Sequence, residues 1–354
     1  MTTKHNLYGG TESWLARVTE AALSCLPPAE RDSHPFRRHA VWERLAAPGF
    51  FMRFPVLWTD DAGRVRADRG LCAAAEGDAP DSVHVTFHPG IDADLLSAQA
   101  FLLLLERRLH DVPGGTVLCA VDRSPAGLSD AESMRLCGAV RAALRRIAPR
   151  AVLMAPDAPA RERGYLHLPR ETAFPPARAV GYGAVCLARE LLSRAGRGQA
   201  GGKTFTLRGN GAEAAHIAAS ALRLGMWAVP FGEPADVLFL CGGVPPLAPE
   251  EAAALAGQGT VLVIETAPLA CTPEAMNAFT RAGIPCAPYI AAGGVYAPGP
   301  DDAGRTIWAC ERHVRRRVEA FLARFSSDEP HDLCRALYAA ALRAATEELI
   351  CRGV

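Results

Sequence analysis

The residues whose types and spacing most directly suggest chemistry are Gly209, Asn210, Gly211, Ala212, Glu213 and Ala214, which follow the apolar run Thr204–Leu207 and open a helical segment. In a G-x-G-x-x-A turn the first glycine permits a tight bend. The second lets the backbone approach a pyrophosphate, and the small sixth residue lets helix and strand pack closely. Glu233 comes just past the next apolar strand, where a carboxylate can accept hydrogen bonds from an adenosine ribose, a preference for NAD over NADP. The cofactor-binding set is therefore Gly209, Asn210, Gly211, Ala212, Ala214 and Glu233; the alternative is a turn that is tight only for packing. Two other reactive side chains read as structural. His88 closes a strand with no nucleophile beside it, and Cys119 has no base paired with it in sequence.

The elements that must position these groups follow from periodicity. Residues 13–46 have helical spacing broken at Pro27-Pro28. FFMRFPVLWTDDAGRVRADRG reads as a hairpin about an Asp61-Ala62-Gly63 turn, and SVHVTFHPG as a strand. A helix is predicted from Ala93 to His110. A second runs to Ile147 and starts from a capping box of Ser129 and Glu132. Apolar runs alternating with helices up to Pro176 predict an α/β unit with a mixed sheet. The Pro- and Arg-rich stretch 162–178 marks a boundary, with a helix starting near Gly181. Beyond it, strands at 237–241, 261–264 and 284–287 around the glycine turn predict a Rossmann-like, doubly wound parallel sheet. Two helices, Glu311–Phe325 and His331–Ile350, complete the pattern, and Arg315–Arg317 form a solvated or interface face of the first. The expected division is 1–178, 179–325, and a C-terminal segment 326–354 that returns to the first unit.

Composition narrows the function classes. With 354 residues, 49% hydrophobic, 21% charged and a formal net charge of zero, the chain has the size for two cores and no polyanion-binding character, so nucleic acid is not an expected partner. The start lacks a basic segment followed by an apolar core, and no apolar run reaches membrane-spanning length, so a cytoplasmic protein without membrane contact is expected. The 11 cysteines are scattered, with no pairing at zinc spacing, and no metal site is expected. Of the 38 basic residues only Lys4 and Lys203 are lysines. Arginine cannot release its proton near neutral pH, so it cannot replace a catalytic lysine.

Six segments in order, ERLAAPGFFMRFPVLWTDDAGRVRADRG, FHPGID, LSDAESMRLC, AVGYGAV, RGNGAEA and ETAPLACTPEAMNAFTRAGIPCAPYIAAGGV, resemble the hexameric glutamate dehydrogenases and their Glu/Leu/Phe/Val dehydrogenase relatives. The resemblance covers nearly the whole chain, which is shorter than typical members before Val180 and after Glu233. It implies NAD or NADP, a small-molecule ligand, and a homo-oligomer of the hexameric kind or a hetero-oligomer with a paralogue.

Position by position, most of the family's chemistry is missing. The family's glycine-rich stretch with the catalytic lysine resembles Pro113 to Pro125, and the lysine's place is taken by Leu118. The lysine that holds the substrate carboxylate falls on Ser82 when Phe87-His88-Pro89 are superposed. The proton-transfer aspartate falls on Asp157, within MAPDAP, as the one retained catalytic candidate. An asparagine becomes Pro268, and a serine becomes Pro298. Oxidative deamination needs a cation on the α-carboxylate, a lysine of lowered pKa, and a carboxylate to move the amine's protons. Arg53 or Arg69 can approach a carboxylate, but neither is a base. The leading expectation is a catalytically degenerate chain that binds a dinucleotide and acts as a regulatory or structural subunit. The alternative is an active NAD(P)-dependent amino-acid dehydrogenase or related oxidoreductase with an altered, more apolar substrate.

Overall fold

The structure, a computed structural model, describes residues 13–33, 37, 40–45, 47, 49–74, 80–112, 115–155, 160–168, 174–292, 306–325 and 333–351. The long N-terminal helical segment expected around Pro27-Pro28 divides into α1 (Trp14–Ser24), α2 (Pro28–Arg31) and α3 (Val41–Leu45). Pro28 opens α2, at the position where a missing N–H costs nothing. The hairpin follows as β1 (Phe50–Thr59) and β2 (Val65–Ala74), paired in antiparallel register from Phe50–Ala74 to Thr59–Val65. Next come β3 (Pro80–Phe87), α4 (Ala93–Leu109), β4 (Gly115–Val121), α5 (Asp130–Ile147) and β5 (Val152–Met154). The sheet order is β1-β2-β4-β3-β5. β4 is antiparallel to β2 and parallel to β3, so the sheet is mixed, as the sequence predicts.

The period-2 alternation of a strand divides this sheet between two cores. Val117, Cys119 and Val121 of β4 join Val83 and Val85 of β3 against Leu136, Val140 and Leu144 of α5. Leu118 and Ala120 face the other way, onto the core built by Leu95, Phe101, Leu102 and Leu105 of α4. The predicted capping box starts α5: the Ser129 hydroxyl accepts from Glu132 N–H at 3.1 Å, and the Glu132 carboxylate accepts from Ser129 N–H at 3.2 Å.

Two differences from expectation lie between the sheets. A short helix, α6 (Ala160–Tyr165), occupies part of the stretch read as a boundary. The next helix, α7 (Pro176–Arg194), starts five residues earlier than Gly181, so a division after residue 178 falls within its first turn. Pro175 and Pro176 sit where prolines start a helix well, a role that a Pro- and Arg-rich linker stretch hides.

The second sheet is built from β6 (Thr204–Arg208), α8 (Ala214–Arg223), β7 (Trp227–Ala228), β8 (Val237–Leu240), α9 (Pro249–Gly257), β9 (Leu262–Glu265), α10 (Pro273–Arg281) and β10 (Cys286–Ala287). All its pairs are parallel, in the order β10-β9-β8-β6-β7. β8 and β9 are buried at every position, as expected of strands covered by helices on both faces. Strand order reverses between β6 and β8, the switch point outside whose carboxyl ends doubly wound sheets hold ligands. Three further helices, α11 (Tyr289–Ala292), α12 (Ile307–Ala323) and α13 (Leu333–Cys351), follow. α13 lies against α4 and α1, where Arg108 of α4 donates to Glu348 at 2.7 Å, and Arg343 reaches α2 in a two-point contact with Glu30 at 2.7 and 2.8 Å. The His110 ring at the end of α4 is 2.9 Å from Ile290 O of α11, joining the two sheet systems.

Candidate functional site

Ser82 and Leu118, the positions expected from motif superposition to replace lysines, lie on neighbouring parallel strands. Ser82 of β3 is buried and pairs in register with Thr116 of β4, and their hydroxyls are 2.9 Å apart. One of the two hydroxyls donates to the other, so Ser82 brings no charge and has a hydrogen bond already committed within the chain. Leu118 lies opposite His84 and packs against the α4 core. Burial, helped by the nearby Arg107 guanidinium, pushes the His84 imidazole down to about 4, so the ring is neutral at physiological pH. An ammonium at position 118 would face apolar side chains, a neutral imidazole and an arginine on the adjoining helix. Leu118→Lys is therefore expected to lower stability by about 1–3 kcal/mol and to generate no amino-acid-dependent NAD(P) reduction. Thermal unfolding and a turnover assay on the same preparation check it; a variant of undiminished stability that turns over glutamate would contradict it.

Of the arginines considered as replacement carboxylate binders, Arg69 is held by the protein's own groups. Its guanidinium donates to Asp122 and to Ile91 O, both at 2.7 Å, while the other Asp122 oxygen accepts Gly90 N–H at 2.6 Å. Arg53 is exposed on β1. Cys119 is buried opposite Cys72, and the hydrogen bond between the thiols, together with burial, holds it far above the range of a reactive thiolate. His88 donates its backbone N–H to Val121 O at 2.9 Å. Asp157, Pro298 and the pair Gly293-Gly294 lie outside the described residues. Pro268 lies in the turn after β9, next to Leu269 with a φ of 59°.

The glycine loop follows β6 at the switch point. Gly209 has a φ of 115°; a Cβ there would run into Cys241 O and lie 2.6 Å from Gly242 O, so only glycine fits. The N–H groups of Asn210 and Gly211 both donate to Gly242 O at 2.9 Å. Glu213, the N-cap residue of α8, is 7% exposed, and its Oε1 accepts Gly242 N–H at 3.1 Å with the Thr266 hydroxyl 3.4 Å away. Its two carboxylate oxygens lie 2.5 and 2.6 Å from where a Gly211 Cβ would be, in the space the second glycine of this motif leaves for a pyrophosphate. In this arrangement the loop does not fit a dinucleotide's phosphates. Ala212 is exposed beside it, and Ala214 starts α8 and is buried, as close helix–strand packing requires. Glu233 is exposed in the turn after β7, its N–H donating to Pro230 O at 3.2 Å. Two site features escaped the sequence reading. Thr116 is the partner of Ser82 only through the β3–β4 register, and Glu213 holds an unspecified position of the G-x-G-x-x-A pattern.

A second buried carboxylate, Glu265 at the end of β9, accepts Cys271 N–H at 3.2 Å and Tyr289 N–H at 3.0 Å. Burial pushes its carboxyl up to about 7, against those hydrogen bonds. Glu106 of α4 is raised to about 7 by the same cause, opposed by a hydrogen bond from Tyr289 and by Arg107.

A mixed sheet joined to an all-parallel sheet, with a G-x-G-x-x-A turn at the switch point, defines a two-sheet α/β protein of dehydrogenase architecture. Within that class, the chain resembles the glutamate dehydrogenases in sequence and has their fold. It is 30% identical over 243 residues to an NADP-specific glutamate dehydrogenase of Haemophilus influenzae, covering 61% of this chain and 53% of that one. It is 28% identical over 267 residues to an NAD-specific glutamate dehydrogenase of Porphyromonas gingivalis, covering 69% and 59%. These matches span somewhat over half the length of the two relatives. A hetero-hexameric glutamate dehydrogenase of Thermus thermophilus, in its Leu-bound form, superposes with a TM-score of 0.78 at 21% identity, over 98% of this chain and 99% of that one. No protein-family model matches the chain.

Proposed function

We propose that this chain is a catalytically degenerate member of the glutamate dehydrogenase group that serves as a regulatory or structural subunit, in a homo-oligomer or in a mixed oligomer with an active paralogue. The observation that carries the reading is the pair of replacements on β3 and β4: Ser82 hydrogen-bonded to Thr116, and Leu118 packed onto an apolar core. Neither supplies a cation for an α-carboxylate nor a base for water. The imidazole in register with Leu118, that of His84, is neutral and faces no nucleophile on that strand. A nicotinamide cofactor supplies the hydride step when bound, but the electrostatic groups around the reacting carbon must come from the protein. Losing one such group costs roughly 3–4 kcal/mol in the barrier, so losing two corresponds to a slowing of roughly 10⁴- to 10⁶-fold. The reading also divides the chain into a substrate-type unit over residues 1–178, a nucleotide-type unit over 179–325, and a segment 326–354 that returns to the first. Asp157 remains its one candidate for proton transfer.

The test is a turnover assay on pure protein with glutamate, leucine and phenylalanine, and NAD or NADP. No reduction above the uncatalysed rate is expected, and measurable amino-acid-dependent reduction would refute the reading. Co-expression with an active paralogue is expected to yield a mixed oligomer on native mass spectrometry. Exclusive recovery of the two chains apart would remove the partner-subunit form of the proposal.

A further inference from the structure

The Gly209–Gly211 loop lies where a doubly wound sheet holds its ligand, and the protein's own atoms occupy each opening that its glycines create. The space beside Gly209 is taken by the Cys241 and Gly242 carbonyls, and that beside Gly211 by the Glu213 carboxylate. The space beside Gly243, whose φ is 87°, is taken by the Asn210 side-chain oxygen. The N–H groups of Asn210 and Gly211 are spent on Gly242 O. We propose that Glu213 is a built-in anion at the pyrophosphate position, which closes the crevice between β6 and β8 to NAD and NADP.

Charge and geometry support the same conclusion. A pyrophosphate is drawn to this place by free N–H groups and by the positive end of a helix. Here a carboxylate at the start of the ten-residue helix α8 answers that positive end and accepts Gly242 N–H. A phosphate arriving beside Gly211 would meet like charge within contact distance, in a place where Glu213 is shielded from water. The carboxylate also links the ends of two strands, through its own helix after β6 and Gly242 after β8, while the Thr266 hydroxyl after β9, 3.4 Å away, donates to Leu240 O at 3.0 Å. Its withdrawal would cost those contacts. The proposal goes beyond the loss of catalysis, since a chain without its catalytic lysines can still retain a cofactor.

Titration of the full-length protein with NADH and with NADPH, followed by nicotinamide fluorescence and by calorimetry, tests this directly. The wild-type protein is expected to show no saturation up to about 1 mM, and Glu213→Val to bind at least about tenfold more tightly than wild type. Glu213→Gln keeps the side-chain volume and removes the charge, and is expected to fall between the two. Wild-type saturation below about 100 μM would overturn the proposal. So would a folded Glu213→Val protein that binds no better than wild type. Should that variant fail to fold, Glu213→Gln decides: tighter binding upholds the proposal and unchanged binding overturns it. The readout is affinity, so its result is independent of the turnover assay.

Discussion

Gly209→Ala is expected to destabilise the protein by about 3–5 kcal/mol, lowering the unfolding midpoint by roughly 10 °C. Two costs combine. At a φ of 115° an L-residue is strained, worth about 1–3 kcal/mol on its own. The new methyl would also run into Cys241 O and Gly242 O, which are backbone atoms at the ends of a buried parallel strand and cannot rotate away as a side chain can. Gly232→Ala separates the two costs. Gly232 also has a positive φ, 98°, but a Cβ there meets nothing within 4 Å, so its loss should be confined to the conformational part, about 1 kcal/mol. Thermal or urea unfolding of both variants provides the measurement. Equal destabilisation by the two would show that the close approach of the glycine loop to β8 carries no energy of its own.

The second large effect concerns Glu265. Glu265→Ala removes the acceptor of two backbone N–H groups and opens a cavity at a residue that is only 4% exposed. A loss of about 3–5 kcal/mol is expected at low pH. The penalty should shrink as pH rises. Burial raises the folded-state carboxyl from 4.5 to about 7, so the folded protein holds a proton that the unfolded chain releases above about 4.5. The wild-type contribution is thus fully present below 4.5 and declines until about pH 7, by up to about 3 kcal/mol for such a shift. The difference in unfolding free energy between wild type and Glu265→Ala, measured from pH 4.5 to 7.5, should fall across that window; a difference that grows would contradict the assigned direction. Taking the difference is necessary because His84 and His110, both lowered to about 4 by burial, act in the opposite sense. Their contribution is present above about 6.5 and lost as pH falls towards 4. Glu106 acts in the same sense as Glu265 and cancels in the comparison.

Most of the architecture was legible because its signals are local. The apolar, aromatic strand and Asp61-Ala62-Gly63 turn of the hairpin, the Ser129–Glu132 capping box and the continuous apolar runs of β8 and β9 each report on a few adjacent residues. The start of α7 is hidden in the sequence because Pro175 and Pro176 signal a linker and a helix start equally well. The site was less legible, for reasons of distance along the chain. That Ser82 is satisfied by Thr116 depends on the β3–β4 register, and that Leu118 lies against α4 depends on which face of β4 that helix covers. Glu213 occupies an unspecified position of the G-x-G-x-x-A pattern. A carboxylate near a helix N-terminus is so ordinary that only the neighbouring carbonyl and N–H groups of Gly242 reveal what it closes. The expectation that Ser82 and Leu118 stand in place of lysines rests on superposed motifs alone; the contacts these two residues make were not readable in the sequence at all.

The placement of α13 also bears on how the chain acquires its fold during synthesis. Leu337, Leu342 and Leu349 of α13 share a core with Leu95, Leu102 and Leu105 of α4 and with Val18 and Leu26 of the N-terminal segment. The first sheet and its helices emerge from the ribosome long before residues 333–351, yet those residues pack onto part of their apolar surface. Until then the nascent first half exposes a hydrophobic stripe, and a folding chaperone or another nascent chain can occupy it. The last helix is thus a closing step in biogenesis, and a stop codon ahead of residue 333 would leave the early-made half sticky even though it has every strand of its sheet.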